Sequence, residues 1–472
     1  HYSGKIMADE MKFNLESFCP EAWNQIEIDA QGDYKICCLA NFDKDFGMAL
    51  DKDGKVMNVK THTIEEAMNS ETHKQHRKEM SQNIKPKRCR NCFDSEESTR
   101  NLKGFGKHKD KFAHLGISKR QRVLRKTTRD VPEYTKVDAA HLVTSADGTL
   151  DTSKSKVVNL DMRFGNLCNQ KCIMCSPQHS NQWYEDWVAI GYGAPQYNRN
   201  QGVYRKGKAR EFSFYYDEHD RIKMEGMEPW WESNDWWDRF DSMAPNLRYI
   251  YFTGGEPLIV PQMQQCLDRL IKGDFAKNIQ LRYDTNLSVI NQKVIDKWKH
   301  FKEVFLCISV DDTGERYNTI RYPGNFDRIE KNIVTLKNND MDIEYVSTCI
   351  GMASPYAVQR IYEFGKKYDI ETNFRFLEGP NWLDIRNYPR KAKEEIIENL
   401  KNYSDDVKYT RWAIAEVKLL EKYLDHSEEK HLHEFIRVMD ILDKQRSTDW
   451  RKAMPDVVDL FKKYCPHIYK EK

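Results

Sequence analysis

The sequence contains no apolar run long enough to cross a membrane and no strong excess of charge of either sign. Lysine and arginine number 75, and aspartate and glutamate 73, among 472 residues, so the formal net charge is +2. The first ten residues lack the apolar core of a signal peptide. These absences argue against a membrane protein and against a global nucleic-acid signature. We therefore expect a cytoplasmic protein.

We expect no disulfide bonds, although the chain contains many cysteines. The twelve cysteines fall into one triplet, one N-terminal group and a few single positions. In a long chain without a secretion signal, such clustering favours metal or cluster ligation in a reducing compartment.

The triplet is Cys168, Cys172 and Cys175, with C-x3-C-x2-C spacing. Cysteine thiolate is the usual ligand of an iron–sulfur cluster. A four-iron cube held by three cysteines leaves one iron open to another ligand. A structural zinc loop is the alternative, but zinc takes four ligands and no fourth cysteine lies near.

A second motif, Gly254-Gly255-Glu256-Pro257, follows a β-branched and aromatic run at 249–253. A strand that ends in two glycines lets the backbone approach a ligand closely. Glu256 can then accept a hydrogen bond from an ammonium group.

Together the two motifs resemble those of the radical S-adenosylmethionine (SAM) superfamily. The resemblance implies that a 4Fe–4S cluster binds SAM at its open iron and that Glu256 holds the amino group of SAM. It also implies cofactor contacts from the residues at strand ends and beside the third cysteine. These are Gly254, Gly255, Pro257, Asn286, Ser309, Asp311 and Met174. Arg321 is left open between pairing with a carboxylate ligand and forming a structural salt bridge.

Strand and helix patterns alternate after residue 156, with predicted strands at 157–163, 249–253, 279–285, 304–310, 343–350 and 372–378. This alternation predicts an α/β fold with a parallel sheet, which resembles the partial (β/α)6 TIM-like barrel of the superfamily. We predict a small α+β cysteine-rich domain at 11–100 and a basic linker at 101–155. The barrel is expected at 156–385, with a Trp-rich insertion at 176–244, and a helical C-terminal extension at 386–472.

The N-terminal cysteine group can close a second metal site with four thiolates. Its members are Cys19, Cys37 or Cys38, Cys89 and Cys92. The pattern resembles the auxiliary-cluster modules called twitch and SPASM domains, here placed before the barrel, and so implies an auxiliary 4Fe–4S cluster. A four-cysteine zinc ribbon is the alternative.

The resemblance implies an enzyme that cleaves SAM reductively to a 5′-deoxyadenosyl radical and abstracts hydrogen from a peptide or protein. The expected electron donor is a flavodoxin or ferredoxin, and no catalytic side chain is assigned. A carbohydrate, nucleoside or RNA substrate is the alternative. A non-catalytic iron–sulfur or zinc protein that binds RNA through the basic residues 100–129 is the alternative of another class.

Overall fold

The computed structural model describes residues 13–40, 46–100, 132–191, 214–233, 235–377, 379–403, 409 and 413–469. Most of the predicted basic linker and the middle of the Trp-rich insertion lie outside these residues. The strands within the described residues are β1 (Gln25–Ile28), β2 (Tyr34–Lys35), β3 (Asn159–Met162), β4 (Phe214–Tyr216), β5 (Ile222–Met224), β6 (Tyr249–Phe252), β7 (Gln280–Thr285), β8 (Glu303–Ser309), β9 (Ile343–Ile350) and β10 (Thr372–Phe376).

Eight of these strands form one sheet in the order β10-β9-β8-β7-β6-β3-β1-β2. Six of them pair in parallel, as the alternation of strand and helix patterns predicted: β3, β6, β7, β8, β9 and β10. The predicted partial barrel is therefore confirmed, with strand ends that differ from the expected ones by one or two residues. Strands β4 and β5 form a separate antiparallel ribbon.

Helices follow the strands as parallel crossovers require. The N-terminal helices are α1 (Glu21–Asn24), α2 (Ile64–Met68), α3 (Glu71–Ser81) and α4 (Arg90–Arg100), and α5 (Trp183–Ala189) and α6 (Trp236–Met243) lie in the insertion. The barrel helices are α7 (Pro261–Lys272), α8 (Gln292–Trp298), α9 (Gly314–Ile320), α10 (Phe326–Lys337) and α11 (Ala357–Tyr368). The C-terminal helices are α12 (Arg390–Lys401), α13 (Ala413–Lys422), α14 (Glu429–Arg446), α15 (Trp450–Ala453) and α16 (Pro455–Tyr464).

The N-terminal hairpin is part of the barrel sheet. Strand β1 pairs in parallel with β3, and β2 pairs antiparallel to β1. The alternating pattern of residues 25–29 and 34–36, on either side of a short turn, predicts a hairpin, but it does not show the strand beside which the hairpin lies. The cysteine-rich segment and the barrel consequently share one sheet.

The two faces of this sheet differ in chemistry. Leu160, Ile250 and Leu281 stand in register on one face and are essentially unexposed. The opposite face carries Glu27, Asp161, Tyr251 and Arg282, also in register. Neighbouring residues of a strand point to opposite faces, so Asp161 and Arg282 are expected from the sequence on a polar face, and the register agrees with this.

Buried charges on the polar face are paired. The carboxylate of Glu27, whose side chain is 0% exposed, lies 2.9 Å from Arg163 and 3.5 Å from Lys35. Since an unpaired buried charge costs several kcal/mol, these pairs tie β1, β2 and the end of β3 together.

The helical spacing of residues 63–80 predicts one helix with an N-cap at Thr63, but the structure divides this segment. The structure has two helices, α2 and α3, because Ser70 caps α3 by accepting a hydrogen bond from the backbone of His73. Asn69 bonds Leu150 through both its side-chain atoms. The predicted N-cap at Thr63 is confirmed and forms a capping box with Glu66.

The C-terminal residues are mostly helical, as expected. Helix α14 reaches the insertion, where Arg446 and Asp186 form an ion pair of 2.7 Å with both side chains 2% exposed. Four tryptophans of the insertion are almost fully buried: Trp183, Trp187, Trp230 and Trp236. Among the described helices, none is long and apolar enough to cross a membrane.

Candidate functional site

The cysteine triplet lies on the loop that leaves the carboxyl end of β3. Hydrogen bonds from the insertion hold this loop: Asn181 accepts from the backbone N–H of Cys168, and the Trp183 indole donates to the carbonyl of Cys172 at 2.9 Å. Lys171, inside the loop, pairs with Asp186 at 2.9 Å. The insertion therefore fixes the backbone between the cysteines.

The three thiols lie close enough to affect one another. Burial, followed by the neighbouring Cys172 thiolate, raises the pKa of Cys168 to about 12. Burial, followed by Cys172 and Cys168, also raises the pKa of Cys175. Thiols in this state are protonated at neutral pH, so binding of iron must displace their protons.

The Gly-Gly-Glu-Pro segment contacts the cysteine loop directly. The backbone N–H of Glu256 donates to the carbonyl of Leu167 at 2.9 Å, one residue before Cys168. A Cβ atom at Gly255 would lie 2.0 Å from that same carbonyl oxygen, so a side chain has no room. Gly254 adopts φ +122°, which residues with a side chain rarely adopt. Both glycines are needed for this close approach.

The Glu256 carboxylate is buried and oriented by three donors. The Thr285 hydroxyl donates to it at 2.6 Å, the Asn286 backbone at 2.7 Å and the Leu258 backbone at 3.0 Å. Burial raises the pKa of this carboxyl, while these hydrogen bonds act to lower it. An ionised carboxylate accepts about four hydrogen bonds. Within the described residues these three donors leave one acceptor position for an ammonium group.

The side chain of Asn286 lies against the cysteine loop. Its side-chain amide donates to the side-chain oxygen Oδ1 of Asn169 at 3.0 Å. The side-chain amide of Asn169 donates in turn to the Ser288 hydroxyl at 2.8 Å. Ser309 ends β8 and is half-buried, in register with Ser347. Met174 is half-buried and packs against the core. Whether these residues contact SAM stays a prediction.

Asp311 and Arg321 form a buried pair behind the triplet. The Arg321 Nε lies 2.7 Å from the Asp311 carboxylate, whose other oxygen accepts from the backbone of Cys349 at 2.8 Å. A guanidinium N–H of Arg321 also donates to Cys172 Sγ at 3.8 Å. Arg321 therefore pairs with a carboxylate of the chain, and its contact with a cluster cysteine is one that the sequence did not indicate.

The N-terminal cysteines also converge. Cys19, Cys37, Cys89 and Cys92 line one small cavity in the fold of the N-terminal segment. Burial raises the pKa of Cys19 well above its ordinary value, and the nearby carboxylate of Glu21 and the thiolates of Cys89 and Cys92 raise it further. These contacts support the predicted set of four thiolates.

Cys38 lies away from this set. It does not line the cavity, and it interacts electrostatically with Arg163 and Tyr251 on the polar face of the barrel sheet. The two adjacent cysteines thus point to different places, and Cys37 is the one that joins Cys19, Cys89 and Cys92.

His76 is a neighbour of the N-terminal cysteines that the sequence analysis missed. It lies in α3, is 2% exposed and lines the same cavity. Its Nε2 atom is 3.7 Å from Cys89 Sγ. The His-x2-His spacing of His73 and His76 on a helix was the available signal, but it did not show which ring faces the thiols.

No group of three or more His, Cys, Asp or Glu side chains in the described part of the chain is arranged to hold a single metal ion.

The fold and the site together define an iron–sulfur protein with a partial parallel barrel and a cluster loop at the carboxyl ends of its strands. Residues 162–355 match the radical SAM superfamily, and residues 19–93 match SPASM, an iron–sulfur cluster-binding domain. Residues 162–355 therefore form a radical SAM domain, and residues 19–93 form a SPASM domain ahead of it. The predicted family and its N-terminal auxiliary module are confirmed.

Solved structures give more distant matches. Native anSMEcpe with bound AdoMet is 16% identical, with a TM-score of 0.33 over 52% of this chain and 59% of that chain. SuiB of Streptococcus suis, bound to S-adenosylmethionine, is 13% identical, with a TM-score of 0.30 over 52% of this chain and 44% of that chain. The chain thus spans about half of the length of these proteins. No curated protein sequence matches the chain.

The family assignment supplies the cofactors. They are a 4Fe–4S cluster, SAM and, in the SPASM domain, an auxiliary iron–sulfur cluster. The match to an iron–sulfur domain favours a cluster over a zinc ribbon at the N-terminal cysteines. Cys168, Cys172 and Cys175 remain our predicted ligands of the first cluster, and Cys19, Cys37, Cys89 and Cys92 those of the second.

Proposed function

We propose that this protein is a radical SAM enzyme that abstracts a hydrogen atom from a peptide or protein substrate. The 4Fe–4S cluster, once reduced by the electron donor, would give one electron to bound SAM, and breakage of a carbon–sulfur bond would then yield methionine and a 5′-deoxyadenosyl radical that takes hydrogen from the substrate to give 5′-deoxyadenosine. Cys168, Cys172 and Cys175 hold the cluster, and Glu256 orients the amino group of SAM.

The observation that carries this proposal is the hydrogen bond between Glu256 and Leu167. It joins the Gly-Gly-Glu-Pro turn to the cysteine loop, so the carboxylate and the three thiols occupy the same edge of the sheet. In parallel α/β sheets, ligands bind at the carboxyl ends of the strands. This arrangement suits one ligand that reaches both an iron atom and Glu256.

The substrate class rests on the SPASM domain, because relatives with such domains often modify peptides. Two proteins with which the chain shares distant structural similarity have been solved with peptides: anSMEcpe with the Cp18Cys peptide and SuiB with its precursor peptide SuiA. Those are properties of these proteins, and we extend the substrate class to this chain as a proposal. A flavodoxin or ferredoxin is the electron donor that we expect.

The first test is anaerobic incubation of the iron-reconstituted protein with SAM and dithionite, which replaces the natural electron donor. We expect 5′-deoxyadenosine in the wild type and none in Cys172→Ala. Cys266→Ala is the matched control, because Cys266 is buried in α7 and is not assigned to either cluster. Absence of 5′-deoxyadenosine from the wild type with both clusters loaded would contradict the proposed activity.

The second test concerns the substrate. Short peptides encoded beside the gene are incubated with the enzyme, and their masses are compared with those from Cys172→Ala. We expect a change in mass of one peptide that requires SAM. If 5′-deoxyadenosine forms but only a carbohydrate, nucleoside or RNA is altered, the peptide class is wrong and the radical chemistry stands.

A further inference from the structure

The SPASM segment places the buried imidazole of His76 beside one of its four cysteines, although the four thiolates already complete the ligand set of a cluster. His76 stands in α3 with its Nε2 atom 3.7 Å from Cys89 Sγ, within hydrogen-bonding distance for sulfur. Within the described residues, its Nδ1 atom is buried and has no hydrogen-bond partner. The cysteine is therefore the polar contact that the His76 side chain makes there.

We propose that His76 donates a hydrogen bond from Nε2 to the Cys89 thiolate and thereby raises the reduction potential of the auxiliary cluster. His76 is a positioning residue in this proposal and not a cluster ligand. The proposal depends on the auxiliary cluster and is independent of the substrate and of SAM cleavage.

Donation is favoured over ligation by the number of thiolates. Cys19, Cys37, Cys89 and Cys92 supply one ligand for each corner of a four-iron cube, so no corner requires an imidazole. A thiolate bound to iron has no proton and can only accept a hydrogen bond. The ring nitrogen that faces it must then carry the hydrogen, which determines the tautomer of His76.

The direction of the effect follows from charge. Reduction adds an electron to the cluster and increases the negative charge on its sulfur ligands. A hydrogen-bond donor aimed at one of these sulfurs stabilises the reduced form more than the oxidised form. Hydrogen bonds to sulfur and burial are among the factors that set iron–sulfur potentials. Removing the donor should therefore lower the potential.

The chain offers a closely matched control in His73. This residue lies three positions earlier in α3 and is 1% exposed, compared with 2% for His76. Its ring contacts the Ser70 hydroxyl at 2.8 Å and does not line the cysteine cavity. A change at His73 disturbs the same helix and the same depth of burial without reaching a thiol.

The experiment uses the full-length chain in which Cys168, Cys172 and Cys175 are replaced by alanine, so that the auxiliary cluster alone is observed. In this background, His76→Leu, His76→Gln and His73→Gln are reconstituted with iron and sulfide. Iron content, the electron paramagnetic resonance spectrum of the reduced cluster and its midpoint potential are then measured.

We expect His76→Leu to keep its iron and to show a lower midpoint potential. We expect His76→Gln, whose amide can still donate, to recover most of the shift, and His73→Gln to show none. An unchanged potential in His76→Leu would overturn the proposal. Loss of the cluster in both His76 variants, but not in His73→Gln, would also overturn it, because that result identifies His76 as a ligand.

Discussion

Cys37 and Cys38 show how one position along the chain separates two environments. Cys37 lies with Cys19, Cys89 and Cys92, whereas Cys38 lies near Arg163 and Tyr251 on the barrel sheet. The sequence predicted that one of the two would be a ligand because neighbouring side chains on a strand diverge. Strand β2 ends at Lys35, so the divergence arises in the turn that follows it.

This divergence gives a prediction at the residue scale. Cys37→Ala should lower the iron content of the auxiliary cluster, because it removes one of the four thiolates that hold this cluster and so weakens its attachment. Cys38→Ala should leave the iron content unchanged and is the matched control. Iron and zinc are measured together after anaerobic purification. Equal iron loss in both variants, or loss of zinc instead of iron, would contradict the assignment.

At the scale of elements, the sequence predicted the local structure better than it predicted the pairing of segments that lie far apart in the chain. The barrel strands were placed to within two residues because β-branched and aromatic runs bounded by turns are strong local signals. The sequence did not predict the break between α2 and α3, because a serine such as Ser70 can lie within a helix or cap the start of a new one. The cysteine triplet and Glu256 were found because their spacing is fixed within one loop and one turn.

The link between helix α14 and the cluster loop could not be read from the sequence. Arg446 and Asp186 are 260 positions apart, and no local pattern joins them. Asp186 binds Arg446 on one side and Lys171 of the cluster loop on the other. Burial lowers the pKa of Arg446, and the Asp186 carboxylate acts in the opposite direction by favouring the charged guanidinium. The C-terminal extension thereby supports the loop that carries the triplet.

We predict that Arg446→Met destabilises the protein by about 3 kcal/mol, because it leaves the buried Asp186 with Lys171 alone. It should also increase loss of iron from the triplet. Lys444→Met, an exposed change in the same helix, is the control and should have no effect on either quantity. Urea unfolding and iron content check the result. Full retention of iron together with unchanged stability would show that α14 does not support the loop.

At the scale of the whole molecule, the shared sheet makes the cysteine-rich segment and the barrel one structural unit. Ile26 of β1 is 0% exposed and stands in register with Leu160 of β3. Their side chains belong to the same apolar core. A disturbance in β1 should therefore spread into the barrel strands.

Ile26→Ala should cost about 2–5 kcal/mol through the cavity that it leaves. We expect hydrogen exchange to become faster in β3 and β6 as well as in β1, as measured by mass spectrometry of peptides. Val334→Ala in α10, where the side chain is 44% exposed, is the control and should leave all three strands protected. Faster exchange confined to residues 13–100 would show that the two parts unfold independently.

The pairing of β1 with β3 also has a consequence for the order of synthesis. The ribosome makes β1 first, and Asn159, where its partner strand begins, comes 131 positions after Ile28. At about 5–20 residues per second, roughly 7–26 s pass before that partner is complete. During this interval one edge of β1 is unpaired, and an unpaired strand edge invites pairing with another chain. Slow translation or a shortage of chaperones should therefore reduce the soluble yield of this protein before it reduces its cofactor content.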